Sequence, residues 1–102
     1  MKKSNPHDQV FSRRLKEVRL LQGLSQKRLG ILAGIDEFVA SSRINRYEKG
    51  VHQANIEVVH QLAIVLNVPL AYFYTEDDDL ASLIMNWPKM GFENRKKILA
   101  LI

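Results

Sequence analysis

The sequence contains no cysteine, which excludes disulfide frameworks, cysteine zinc sites and thiolate nucleophiles and leaves burial alone to hold the fold. It also lacks an apolar run long enough to cross a bilayer. The richest stretch, Leu62 to Tyr74, is interrupted by Asn67 and Pro69 and falls well short of the roughly 20 residues a spanning helix needs. No signal-type apolar segment follows the opening Met-Lys-Lys-Ser-Asn-Pro-His-Asp, so a cytoplasmic, membrane-free protein is expected. Sustained period-two alternation is missing, so no sheet is expected. There is no glycine-rich phosphate loop, no Ser/His/Asp set and no paired carboxylate at a plausible pocket, and His7, His52 and His60 have no carboxylate or cysteine at a ligand-like spacing. The expectation is a protein that is not an enzyme and that takes no metal and no cofactor.

What is present amounts to one ordinary domain. The 102 residues are 46% hydrophobic and 25% charged, the composition of a soluble globular unit rather than of a disordered chain. Charge is unevenly spread. Residues 1–50 carry 11 Lys/Arg against 5 Asp/Glu, a net of +6, whereas residues 51–102 carry 4 against 6, a net of −2. A basic half joined to a mildly acidic one suggests one face that meets a polyanion and another with a different task.

Apolar residues recur at helical spacing along most of the chain. Phe11, Leu15, Val18 and Leu21 define a first helix over about 10–22, with Arg13, Arg14, Lys16 and Glu17 off its apolar face. Gly23 ends it. Ser25 stands where an N-cap belongs, ahead of a short second helix that closes at Gly34. A third, narrow on its buried side through Val39, Ala40, Ile44 and Tyr47, stops at Gly50. Asn55 can cap a fourth helix whose apolar face is Ile56, Val59, Leu62, Ala63 and Leu66. Asn67-Val68-Pro69 ends it, and Pro69 suits the first position of a short helix through Phe73 and Tyr74. The acidic run Glu76 to Asp79 reads as the capped, solvated start of a sixth helix, and Glu93 to Ile102 as a terminal one. The fold class is all-α.

Two short helices joined by a glycine-containing turn, the second narrow and polar, form the pattern of a helix-turn-helix. The residues Leu15, Arg19, Gly23-Leu24-Ser25-Gln26, Leu29, Ala33-Gly34-Ile35, Ile44, Tyr47-Glu48-Lys49-Gly50, Ile56, Leu62-Ala63, Leu66, Val68 and Phe73 resemble the lambda-repressor/Cro-like helix-turn-helix regulators over roughly residues 10–74. The resemblance implies a five-helix DNA-binding bundle over residues 10–76, after an N-terminal arm over 1–9 and before a C-terminal helical extension over 77–102. It departs from the family at three places. About four extra residues, Asp36 to Val39, lie before the third helix, giving a longer turn or an earlier helix start. Ala54-Asn55 stands where many relatives have proline, and Gly30 where they usually have alanine.

The resemblance also implies roles. Ser41, Ser42 and Arg46 fall at base-reading positions of a helix in the major groove, and the Arg46 guanidinium can bond guanine O6 and N7 together. Arg43 and Asn45 fall on phosphate or at the groove edge, Ser25 and Gln26 on phosphate, and His52 in a loop that touches phosphate in relatives. Lys27 and Arg28 add an argument of their own, because cations in the first turn of a helix oppose its dipole. A phosphate at that end resolves the conflict. Arg19 and Glu48 are implied to be an internal ion pair. The partner is double-stranded DNA and the state a homodimer, since one short helix reads too few base pairs for specificity. Leu80, Leu83, Ile84, Trp87, Ile98 and Ile102 are surplus to a five-helix bundle, so the extension is expected to dimerise, to fold back, or to bind a second protein as an antitoxin would. A repressor is the expected role, with a protein-interaction module that has lost DNA as the rival.

Overall fold

The computed structural model describes residues 6–102, with side chains from residue 9 onward. Regular structure among them is helical throughout: α1 Pro6–Leu21, α2 Gln26–Leu32, α3 Ala40–Glu48, α4 Ile56–Leu66, a 3₁₀ segment Leu70–Tyr74, α5 Asp78–Asn86, a 3₁₀ turn Trp87–Lys89 and α6 Phe92–Ala100. The all-α architecture is as expected, with the fifth helix of the bundle wound as 3₁₀. Pro69 precedes that segment instead of opening it. α1 starts before Val10, so part of the expected arm is helical; residues 1–5 of that arm and the His7 side chain lie outside the described residues.

Side-chain caps start α2, α4 and α5. Ser25 Oγ accepts from the Arg28 N–H at 2.9 Å, Asn55 Oδ1 from the Val58 N–H at 2.9 Å, and Asp77 Oδ1 from the Leu80 N–H at 2.8 Å. Each satisfies a backbone donor that has no partner within its helix. α2 ends at Gly34, whose φ of +90° lets the Ile35 N–H reach back to the Gly30 carbonyl at 2.9 Å.

Phe11, Leu15 and Val18 of α1 meet Leu29, Ile44, Tyr47, Leu62, Leu66 and Phe73 in one buried cluster. The Phe11 ring sits between those of Tyr47 and Phe73, at 6.4 and 5.6 Å. Each such side chain contributes about 1.5–3 kcal/mol of burial, which is how a chain without disulfides holds its shape. Leu21, placed on this face by spacing, is exposed instead, because it lies about 80° around the helix from Phe11, at the edge of the stripe, while Val18 in the same turn stays buried.

Arg14 overturns its expected placement on the solvated side of α1. It is 2% exposed. Its guanidinium donates to the carbonyls of Thr75 at 2.9 Å and Glu76 at 2.9 Å and to the carboxylates of Glu17 and Asp78, each at 3.0 Å. The start of the extension is thus bolted onto α1. Asp78 also takes Arg13 at 2.8 Å. The hydrogen bonds from Arg13, then Arg14, hold its carboxyl below the ordinary carboxylate value. The acidic run therefore does more than cap and solvate.

Candidate nucleic-acid interface

α3 buries Ala40, Ile44 and Tyr47, an i, i+4, i+7 stripe. At about 100° per residue, Ser42 and Arg46 lie about 200° from Ala40 and Ile44, on the outer face, and both are exposed. Ser41 is exposed beside them, on the α2 flank with Asn45, while Arg43 falls on the opposite flank, in a cleft with Asp36, Glu57 and Val58. Ser42 Oγ donates back to the Val39 carbonyl at 3.1 Å, which leaves its lone pairs outward. Asp36 to Val39 lengthen the turn, and α3 begins only at Ala40.

Arg19 and Glu48 join α1 to α3 as implied. Arg19 Nε donates to Glu48 Oε2 at 2.6 Å and Nη2 to Oε1 at 3.0 Å, while Nη1 donates to the Leu24 carbonyl at 2.8 Å. The two side chains are 9% and 3% exposed, so the pair is structural. Gln26 joins this network: its Nε2 donates to Glu48 Oε1 at 3.1 Å and Asn45 Oδ1 at 3.2 Å. Gln26 therefore ties the α2 N-terminus to α3, and it is half-exposed at the end of α2 that the resemblance places on phosphate.

Around that network lies a polar cleft of about 470 Å³ with Lys16, Ser25 and Lys49 on its walls. Ser25 Oγ accepts a backbone N–H, so its own O–H remains free to donate outward. Lys27 and Arg28 are exposed on the first turn of α2. Sequence reasoning passed over Lys16 and Lys49. The signal for Lys49 was its spacing, three residues beyond Arg46 on the outer face. His52 is exposed, with its ring 5.9 Å from that of Tyr47.

The architecture of α2, turn and α3 is matched by comparison with known proteins: the family model described as Helix-turn-helix covers residues 15–73. The chain belongs to the lambda-repressor/Cro-like helix-turn-helix family. Two HTH-type transcriptional regulators, one of Sinorhizobium medicae (strain WSM419) and one, R00410, of Rhizobium meliloti (strain 1021), are each 32% identical to it over 75 residues. Those residues are 74% of this chain and 51% of theirs, so the chain spans about half the length of the curated relatives it matches. The crystal structure of transcriptional regulator BswR is similar at a TM-score of 0.82 and 44% identity, over 88% of this chain and 89% of that one.

Beyond the matched helix-turn-helix residues the extension divides in two. α5 packs back on the bundle, burying Ala81, with Ile84 and Met85 half-buried against the core. Ile84 is therefore partly committed within its own chain. α6 buries nothing. It is held to the preceding turn by Arg95, which donates to the Trp87 and Pro88 carbonyls at 2.9 and 3.0 Å and lies over the half-buried Trp87 ring. Leu80 and Leu83 are exposed, Ile98 is half-buried, and Ile102 is 96% exposed. Among the described residues there is no cluster of His, Cys, Asp and Glu able to hold a metal, and no helix is long and apolar enough to cross a membrane.

Proposed function

We propose that the protein is a sequence-specific double-stranded DNA-binding regulator of transcription, acting by binding and not by catalysis, and that α3 is its reading helix. The observation that carries this is the outer face of α3, where Ser42 and Arg46 stand exposed opposite the buried stripe, with Ser41 beside them. Arg46 pairs with guanine, a contact worth roughly 1–3 kcal/mol of discrimination, and the serines add weaker hydrogen bonds. Ser25, Gln26, Lys27, Arg28, Arg43, Asn45 and His52 hold phosphates, joined by Lys16 and Lys49, and Gln26 also positions α2 and α3 relative to each other.

The reading extends to a homodimer on an inverted repeat that represses by occupying a promoter. α6 supports the dimer. A nine-residue helix with no buried side chain is below the length that holds in water by itself, and its Phe92 and Leu99 are exposed, so a second copy is the occupant that this reading supplies.

Selection of bound sequences from random DNA tests the reading, with wild type and Arg46→Ala compared. The expected result is an inverted repeat with half-sites about one helical turn apart, losing a guanine preference in the variant. Weak binding with no enriched sequence would overturn it.

A further inference from the structure

The turn before α3 carries Phe38 at 89% exposure. Nothing in the fold accounts for a phenylalanine there. It lies one residue before the N-cap Val39, where an apolar side chain ordinarily packs on the helix's first turn, yet it touches no aromatic partner and stands outside the core cluster. The backbone beneath it is fixed: Asp36 Oδ1 accepts the Phe38 N–H at 2.9 Å, and the Val39 N–H donates to the Asp36 carbonyl at 3.1 Å. An apolar side chain is thus held out in water on a braced turn at the end of α3 that enters the groove.

Glu37 and Asp36 narrow what the turn can face. Two carboxylates beside a phosphate backbone repel it, whereas on the floor of the major groove a cytosine N4 amine can donate to them. The apolar group available on that floor is the C5 methyl of thymine. Resting on the reading of α3 as the recognition helix, we propose that Phe38 is a specificity-determining residue that packs on a thymine methyl next to the bases read by Ser41, Ser42 and Arg46.

The experiment uses the full chain and the operator recovered by selection, in which each thymine is replaced in turn by deoxyuridine, which lacks only that methyl. Wild type should bind about fourfold more weakly when one particular thymine of a single half-site is changed, as loss of one buried methyl implies. Phe38→Ala should show no penalty at that position and unchanged penalties elsewhere. Its thermal melt, followed by circular dichroism, should match wild type, since the side chain is exposed. Equal deoxyuridine penalties in wild type and variant at every thymine would overturn the assignment while leaving the DNA-binding reading intact. Failure of wild type to enrich any sequence would overturn both.

Discussion

Gly30 lies where a methyl group has no room. A Cβ built there would meet Ala40 Cβ at 2.8 Å and the Ala40 carbonyl oxygen at 3.0 Å, and the second of these is backbone. Helix propensity alone favours alanine by about 1 kcal/mol, but overpacking a tight contact costs about 1–3 kcal/mol. Gly30→Ala should therefore lower the unfolding midpoint in urea, against the propensity expectation. An increase would mean that α2 and α3 separate at little cost. Arg19→Ala tests the neighbouring joint. It leaves the buried Glu48 carboxylate and the Leu24 carbonyl without their charged donor, a loss on the order of 3–5 kcal/mol, so lost DNA binding in that variant would follow lost folding by circular dichroism. Tyr72 supplies a pH dependence. Burial, then the adjacent Glu17 carboxylate, push its phenol up to about 12, with Arg14 acting the other way. Because the folded value lies above the ordinary 10, the stabilisation is full below pH 10 and disappears as pH rises toward 12. Denaturation followed through that interval should show a loss of stability that Tyr72→Phe reduces.

Helices were legible where a single local device makes them. Ser25 and Asn55 announced their caps, and Gly23, Gly34 and Gly50 their stops, because each acts on the backbone within three or four residues of itself. What was not legible depended on contacts remote in sequence. The fit of Gly30 against Ala40 looked like a helix defect, Arg14 looked solvated because its acceptors lie at Thr75, Glu76 and Asp78, and the commitment of Gln26 to Asn45 and Glu48 needed α2 and α3 to be docked. The outer face of α3 was readable from spacing and resemblance, although the length of the turn before it was not. The same distinction changes how the extension should be cut. Removing residues 77–102 would strip Asp78 from Arg13 and Arg14 and expose the contact of Ala81. A chain ending at Lys89 keeps α5 and loses α6. Its melting temperature, measured at a concentration where wild type is monomeric, should match that of wild type, while sedimentation should show a weaker dimer. A dimer as strong as that of the full chain would remove α6 from the interface.

Taken as one charged body, the protein carries its excess of +6 in the half that contains α2 and α3, and −2 in the half that contains the extension. The acidic run Glu76 to Asp79 lies at the start of α5, so a polyanion approaching α2 and α3 meets Lys27, Arg28 and Arg43, with Asp36, Glu37 and Glu57 as the carboxylates on the Arg43 side. If those three with Lys16 and Lys49, five cations in all, hold phosphates in each copy of a dimer, about ten phosphates are neutralised, and at about 0.9 counterions released per phosphate the logarithm of affinity should fall with the logarithm of salt at a slope near −9. Lys27→Ala removes one contact per copy and should bring the slope to about −7 while leaving the selected sequence unchanged, because phosphate contacts position the protein and base contacts specify. Arg46→Ala should do the reverse, relaxing the sequence at one position per half-site with little change in slope. Titration of both variants across a salt series separates the two roles, and a Lys27→Ala slope equal to that of wild type would place the first turn of α2 off the phosphate backbone.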